Sequence, residues 1–578
     1  DFKLKLAELL KEKYDMLEFD QILELIEIPP QEDMGDFAVP CFKFARTFKK
    51  PPDLIAKEIA DNIGSNQYFE KIVNMGPYLN FFINKEMIAK SVIMDVYKRG
   101  SGYGSSSMGK GKTVIVEFSS PNIAKPFGIA HIRTTVIGHV LRNIYKFLGY
   151  ETIAINHLGD YGTQFGKLIV AYKTWGNKEL VEKDPIPELL KLYVKFHDEA
   201  EKDPVLEDKA REWFKKLEEG NKEAVELWQW FRDVSLREFN RIYEMMGIEF
   251  DSYAGESFYS DKMPAVIELL GEKKLLEHSQ GAEIVDLEKY DMPPALIRKS
   301  DGSTLYITRD ITAAIYRKEK YNFYKNIYVV GSQQNLHFQQ MFKILELMGY
   351  DWAKDCIHVP FGMVSLEDGT MSTRKGRVVF LEDVLKKAVE KTRDIIAEKN
   401  PDLKDKEKIA EEVGIGAVMF QELSHSRIKD YTFSWDNTLS FEGETGPYVQ
   451  YTHARANSVL EKAAVYDYAD ILDSTNIETV LEKEVNYKLL TEDEAFSILK
   501  IIYKLPEVII KAMERNEPFI LTRQIIDLAQ AFNRFYHEYP ILVDDPELKR
   551  ARLLLVLTTK NVLKTGLALL GIKAPDKM

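Results

Sequence analysis

The spacing of apolar positions changes character twice along the chain, and the changes divide it into three stretches. The opening segment DFKLKLAELLKEKYD carries apolar residues at helical spacing, DLIAKEIADNI repeats that spacing, and YLNFFIN alternates as a strand does. These predict a small α+β unit over residues 1–108, closed by the serine- and glycine-rich linker SGYGSSSMGKGK. KTVIVEF then reads as a buried strand, and Ile132, Val136, Val140, Ile144 and Phe147 recur as one face of a helix. Gly149 stands where a helix C-cap belongs, and ETIAIN is a second strand. Strand, turn, helix, strand at these lengths predicts a βαβ unit and a parallel sheet. The charged, helical 173–250 reads as an insertion, after which NIYVVG, a helix through Met348 and IHVPFG resume the β/α pattern. From 446 to 578 the period is helical throughout: Ile525, Leu528, Phe532 and Phe535 form one stripe, and Thr491 to Glu494 reads as a capping box. The expected architecture is therefore multidomain α/β: an N-terminal α+β domain (1–108), a Rossmann-like parallel-sheet domain (109–445) and an all-α bundle (446–578).

Composition narrows the class. A chain of 578 residues with 45% hydrophobic and 29% charged positions is an ordinary globular protein of several domains, not a disordered or fibrous one. Cys41 and Cys356 lie far apart and fit neither a disulfide framework nor a metal-binding or redox pair, which points to a reducing, cytoplasmic setting. No apolar run is long enough to span a membrane, and the amphipathic N-terminus is no signal peptide. The chain opens on Asp1 rather than methionine, which leaves room for residues ahead of it. The formal net charge of −13 lacks the basic surplus of many nucleic-acid binders. The deficit is uneven: 446–578 holds 17 Lys/Arg against 19 Asp/Glu, the rest 61 against 72, so the helical tail is the part best able to approach an anion.

Two segments carry chemistry. SSPNIAKPFGIAHIRTT (119–135) sits between a buried strand and a helix, where parallel sheets bind phosphates on free backbone N–H groups and a helix dipole. Lys125 and His131 add side-chain donors there; the plainer alternative is a surface lysine and a capping histidine. In LEDGTMSTRKGRVVFLEDVL (366–385), Gly369 and Gly376 bracket Ser372, Thr373, Arg374 and Lys375, all donors. A basic loop of this kind suits pyrophosphate, although TRKG alone also fits a solvated turn.

Together the two segments resemble the HIGH and KMSKS signatures of class I aminoacyl-tRNA synthetases. Within that class the chain resembles arginyl-tRNA synthetases along nearly its whole length: VEFSSPNIAKP, HLGDYGTQFG (157–166), LYITRDITAAIYR (305–317), VVGSQQNLHFQQMF (329–342), MSTRKG and YVQYTHAR (448–455), ending in GIKAPDKM. Gly128 and Ala130 replace the first histidine and the glycine of HIGH, leaving His131. Thr370 and Thr373 replace both lysines of KMSKS. The family substitutes a lysine upstream of HIGH for the second of these, here Lys125. With the first histidine also gone, backbone N–H groups around Gly128 to Ala130 are expected to hold more of the ATP phosphates.

The resemblance implies activation of L-arginine with ATP and Mg²⁺ to arginyl-adenylate, transfer of arginine to the 3′ end of tRNA(Arg), activation only with tRNA bound, and a monomer. Lys125, His131, Ser372, Arg374 and Lys375 would stabilise the reacting phosphates. Gly128, Ala130, His131, Gly331, His337 and Met371 would hold ATP, with Ser332 beside the ribose. A guanidinium is a planar fork of five donors and needs fixed carboxylates; Glu117 and Asp310 are placed to supply them, with Tyr306 as a wall. Asn122 and Gln334 match the family's positions for the substrate's α-amino and carboxylate end. Asp310 also fits a helix cap, Gln334 a surface amide, and His337 a core histidine. Buried hydrogen bonds of this kind reject lysine without an editing domain, and 173–250 is too short to be one. For tRNA, the family pattern points to Tyr448, Tyr451, Arg455, Tyr536 and Met578 in the bundle and, more loosely, to Tyr78 and Asn80 in the N-terminal unit, where Met75 departs from it. The same tyrosines also fit bundle core. No resident metal cluster is read. Two other readings stand beside this one. A nucleotidylyltransferase would not need the bundle, and a retired RNA-binding homologue would have lost the phosphate site.

Overall fold

The computed structural model describes residues 1–300, 302–367, 379–464 and 479–578. It divides into two compact units, one of Asp1–Tyr103, Arg455–Leu505 and Asp527–Leu563, the other of Gly104–Ala454, Pro506–Ile526 and Lys564–Met578. The C-terminal helical stretch thus contributes to both.

In the first unit, helix α1 (Phe2–Lys13) buries Phe2, Leu6 and Leu10 along one face and is capped by the Asp1 carboxylate, which accepts from the Lys3 and Leu4 N–H groups. Strands β1 (Phe37–Pro40), β2 (Phe69–Met75) and β3 (Tyr78–Ile83) form an antiparallel sheet in the order β1-β3-β2. Helices α2 (Pro52–Ile63) and α3 (Lys85–Arg99) complete this α+β part.

The second unit is built on four parallel strands. Strand β4 (Thr113–Glu117) leads through α4 (Ile132–Phe147) to β5 (Glu151–Ile155). Gly149 closes the helix at φ +88°, and a side chain there would meet the Ser106 carbonyl at 2.8 Å, so the predicted cap is needed on both counts. Helix α5 (Gln164–Trp175) follows β5, and α6 (Lys178–Lys183), α7 (Pro185–Ala200), α8 (Val205–Glu218) and α9 (Lys222–Met246) fill the stretch expected as an insertion. A small antiparallel sheet follows, β6 (Glu277–Ser279), β7 (Ala282–Val285) and β8 (Ala295–Arg298), which the apolar pattern does not announce. Then come α10 (Tyr306–Tyr321), β9 (Lys325–Val329), α11 (Asn335–Leu347) and β10 (Cys356–Val359). The sheet order is β10-β9-β4-β5, so connections leave β4 and β9 in opposite directions and a crevice opens between their C-terminal ends, where Glu117 pairs with Tyr328. Beyond it, β11 (Val364–Leu366) pairs in parallel with β12 (Tyr431–Phe433), and α12 (Leu381–Lys399) packs on α13 (Lys406–Leu423).

The C-terminal stretch carries the long helices α14 (Gly446–Ala464), α15 (Asp493–Glu514), α16 (Pro518–Glu538) and α17 (Pro546–Leu569). Ile525, Leu528, Phe532 and Phe535 are all buried, as their spacing predicts. The capping box is displaced: α15 starts at Asp493 and the Phe496 N–H donates to the Glu492 carbonyl, so Glu492 and not Thr491 holds the cap position. No helix of the described residues is long and apolar enough to cross a membrane, and Cys41 and Cys356 are both buried free thiols.

Candidate active site

The turn after β4 is held in an unusual backbone shape. Ser119 and Ser120 stand at φ +69° and +49° and Ala124 at +58°, the left-handed region that residues with a Cβ rarely enter. Side chains from α4 and α9 keep it there. The Ser119 N–H donates to Thr134 Oγ1 (3.0 Å), Ser119 Oγ bonds Tyr243 Oη (2.6 Å), Thr135 Oγ1 donates to Ser119 Oγ (2.8 Å), and the Ala124 N–H donates to Ser235 Oγ (3.0 Å). Thr134 Oγ1 also donates to the Val329 carbonyl at the end of β9 (2.7 Å).

His131 caps α4, stacked on Phe127 with ring centroids 5.0 Å apart, its Nδ1 3.3 Å from the Gly128 carbonyl. Burial lowers its pKa against the opposing pull of that carbonyl, so at neutral pH it offers a neutral imidazole. Lys125 is half-buried on the same loop. The expected backbone cradle is partly spent: Ile129 N–H donates to the Val379 carbonyl (3.0 Å) and His131 N–H to the Gly128 carbonyl (3.0 Å), while Leu381 N–H donates to Phe127 (2.9 Å). Residues 379–381 are thereby sewn to the 127–129 segment. Met371, Ser372, Arg374 and Lys375 lie outside the described residues.

The carboxylates sort themselves differently from the sequence expectation. Glu117 is buried, but its Oε2 is 2.6 Å from Nη2 of Arg317, a fully buried residue of α10 whose guanidinium lies over the Tyr328 ring. The protein's own arginine therefore takes the group assigned to a ligand. Asp310 bonds His337 Nε2 through Oδ2 (2.7 Å) and lies 3.8 Å from His157 Nε2. Burial would raise its pKa, but the His337 hydrogen bond and the His337, His157 and Arg317 charges overcome that and hold it below the usual value. His337 is thus engaged with Asp310. Tyr306 heads α10 one turn before Asp310 and is 63% exposed.

A second carboxylate was missed in the sequence. Glu256, 8% exposed, sits on a short 3-10 turn, and burial together with Asp310 and Asp160 pushes its pKa up to about 7 against the pull of Arg309. Arg309 Nη1 is 3.6 Å from its Oε1, and the guanidinium lies over the rings of Tyr161 and Tyr306. The HLGDYG segment positions this turn. The buried Asp160 accepts from the Ser257 N–H (2.8 Å), Ser257 Oγ (2.9 Å) and Arg232 Nε (3.0 Å), and the Leu158 carbonyl accepts from the Glu256 N–H (2.9 Å). Asn122 is exposed above Gly159, where any side chain would meet its Oδ1 at 1.8 Å; backbone bonds from Gly159 N–H to Pro121 and from Ile123 N–H to Gly159 fix the approach. Gln334 is exposed on the turn after β9, where its N–H donates to the Gly331 carbonyl (3.0 Å). Among the described residues no group of three or more His, Cys, Asp and Glu side chains forms a metal cage.

Of the residues predicted to meet tRNA, Tyr78 is half-buried edge-on to Phe42. Asn80 is turned inward, 3% exposed, with Nδ2 on the Met34 carbonyl (2.6 Å), so its amide is not at the surface. Tyr448 is half-buried and Tyr451 exposed on α14. Arg455 on the same helix bonds Asn533 Oδ1 and lies over the Tyr536 ring at 5.0 Å. Met578 packs against the core of α12 and α13, and its carbonyl accepts from Asn400 Nδ2 (3.2 Å).

Three families match the chain in succession: "Arginyl tRNA synthetase N terminal domain" over residues 2–83, "tRNA synthetases class I (R), catalytic domain" over 93–435, and "DALR anticodon binding domain" over 449–578. Curated relatives include the arginine–tRNA ligase of Halothermothrix orenii, 65% identical over 100% of both chains, and that of Clostridioides difficile, 61% identical over 100% of both. Among solved structures, the Thermus thermophilus arginyl-tRNA synthetase shares the fold with a TM-score of 0.77 at 24% identity, covering 100% of this chain and 99% of that one.

Proposed function

Since the chain belongs to the class I arginyl-tRNA synthetase family and is an arginine–tRNA ligase, we propose that Asp310 and Glu256 are the carboxylates that receive the guanidinium of L-arginine. Their contrast is the observation that carries the reading. Asp310 is held ionised by His337, whereas Glu256 titrates near 7, so the empty pocket does not bear two full charges and the incoming cation completes the second. Tyr306 walls the guanidinium, and Asn122 and Gln334 take the α-amino and carboxylate end. Glu117 becomes a support: paired with Arg317, it keeps β4 and α10 in register beneath the pocket. A lysine ammonium cannot fill both sides of the carboxylate fork, and buried groups left unpaired are the strongest form of rejection.

ATP lies over the 119–131 turn, with Gly128, Ala130 and Gly331 allowing close approach. Lys125 and His131 meet the phosphates; by the family pattern Ser372, Arg374 and Lys375 serve the phosphates as well, and Met371 serves ATP. Mg²⁺ arrives as part of the substrate, MgATP, because the donors of this loop are nitrogen groups suited to phosphate rather than carboxylates suited to Mg²⁺. The arginine carboxylate attacks the α-phosphorus in line, the bond to the β-phosphate oxygen breaks, and pyrophosphate leaves; positioning and charge neutralisation do most of the work. A hydroxyl of the terminal tRNA ribose then attacks the aminoacyl carbonyl and AMP departs. Tyr448, Tyr451, Arg455, Tyr536, Met578 and Tyr78 are the positions for tRNA contact, with aromatic faces for unpaired bases.

ATP–pyrophosphate exchange against all twenty amino acids, with and without tRNA, tests the reading. Exchange with arginine alone, and only with tRNA present, is the expected outcome. Exchange driven by lysine as well would refute the carboxylate fork.

A further inference from the structure

The first turn of α4 sends three consecutive side chains to three places. Thr134 and Thr135 bind the β4 turn and the end of β9, as described. Arg133 points the other way, into a layer that the phosphate chemistry does not use. It is 1% exposed; its Nε donates to Glu422 Oε1 of α13 at 2.7 Å, its Nη1 donates to the Lys429 carbonyl at 2.8 Å, and its guanidinium lies 5.2 Å from the centre of the Tyr431 ring. Lys429 directly precedes the residues that register β11: Asp430 Oδ1 accepts from the Met363 N–H (2.6 Å), and the Tyr431 N–H donates to the Met363 carbonyl (3.0 Å). Two residues upstream, the Phe361 carbonyl accepts from the Ser332 N–H at the β9 turn (3.0 Å).

We propose that the buried Arg133–Glu422 pair is a positioning device for adenylate formation: it pins the first turn of α4, and with it His131, against the β11–β12 layer. The inference rests on the reading of the phosphate site given above. Two observations favour it over a role in stability alone. The pair is incompletely satisfied, since Arg133 Nη2 is buried without a hydrogen-bond partner, and burial pushes Glu422 up to about 7 despite the pull of Arg133 and of the Tyr431 hydroxyl. Apolar side chains of similar volume would fill such a site at no loss of stability. A planar fork that reaches a carboxylate and a main-chain carbonyl in different directions is what an apolar pair cannot supply. The His131 ring itself is held by stacking on Phe127 and by one long polar contact, from Nδ1 to the Gly128 carbonyl, so its place depends on the backbone of the turn that carries it.

The test uses the full chain with arginine, ATP and tRNA(Arg), measuring kcat and KM for arginine and for ATP in pyrophosphate exchange, beside thermal melting. Arg133→Lys keeps the charge but not the fork, and the double variant Arg133→Met/Glu422→Leu restores packing without polarity. Both are expected to melt close to the wild type, to lose about 10–100-fold in kcat as expected of a misplacement near 1 Å, and to keep the KM for arginine. A kcat near the wild-type value in either folded variant overturns the proposal, and so does a loss confined to the KM for arginine. A wild-type chain with no arginine-dependent exchange would overturn the reading of the site itself, and this inference with it.

Discussion

Replacing Glu256 by glutamine removes one charge from the pocket while keeping its shape. Breaking a desolvated guanidinium–carboxylate pair costs on the order of 2–5 kcal/mol, which raises the Kd for arginine about 30- to 5,000-fold. The wild type should also carry a pH signature that the variant lacks. Glu256 titrates at about 7 in the empty pocket, and a bound guanidinium lowers that value, so binding expels a proton. Affinity is therefore full above pH 7 and is lost as pH falls through it. From pH 8 to 6 the wild-type Kd should rise about tenfold, because each unit of mismatch is worth about 1.4 kcal/mol. Isothermal titration of arginine at pH 6, 7 and 8, in two buffers of different ionisation enthalpy, reads affinity and proton release together. At pH 7 about half a proton should leave per arginine bound. Glu256→Gln should bind weakly, release none and show a flat profile. A variant that keeps wild-type affinity, or one that keeps the same pH slope, would refute the assignment.

Asp310→Ala should raise the KM for arginine by about one to three decades while leaving the KM for ATP unchanged, since the carboxylate that His337 holds ionised is lost; an unaltered KM for arginine in aminoacylation assays would remove Asp310 from the pocket. Arg317→Met should destabilise the chain by about 3–5 kcal/mol in urea denaturation, because it strands the Glu117 carboxylate in the interior. A loss no larger than a surface substitution gives would mean that water reaches Glu117.

Local pattern carried the sheet. The strands at 113–117, 151–155, 325–329 and 356–359, and the helix between the first two, follow from apolar runs and one C-cap glycine. The β6–β8 sheet did not, because its strands are three or four residues long, too short to leave a periodic trace. Tyr306 and Asp310 could be read together because one segment carries both, whereas groups that only folding brings together leave no such trace. Nothing in GES marks Glu256: its perturbed carboxyl depends on Asp160, Arg309 and Asp310, brought together by folding. Glu117 shows the opposite, since the cation it pairs with lies 200 residues away in sequence. Asn80 is a third case, a polar residue on a strand whose amide is turned inward onto the Met34 carbonyl. The bundle holds a related lesson. Because 446–578 contributes to both compact units, removing it would disrupt folding as well as tRNA docking, and point variants such as Arg455→Ala give the cleaner comparison.

The position of β4 between β5 and β9 has a consequence for the newborn chain. One edge of β4 is covered as soon as Glu151–Ile155 leaves the ribosome, but the other waits for Lys325–Val329, with the whole helical insertion between them. At the usual pace of synthesis, about 5–20 residues per second, that edge stays bare for roughly 10–30 s. During this interval Arg317 has not yet been made, or has only just emerged, and the Glu117 carboxylate at the strand's end remains in water. An unpaired, strongly apolar strand is the kind of surface that chaperones bind and that aggregates grow from. The central strand of the sheet is thus also a point at which this protein is exposed to misfolding while it is being made.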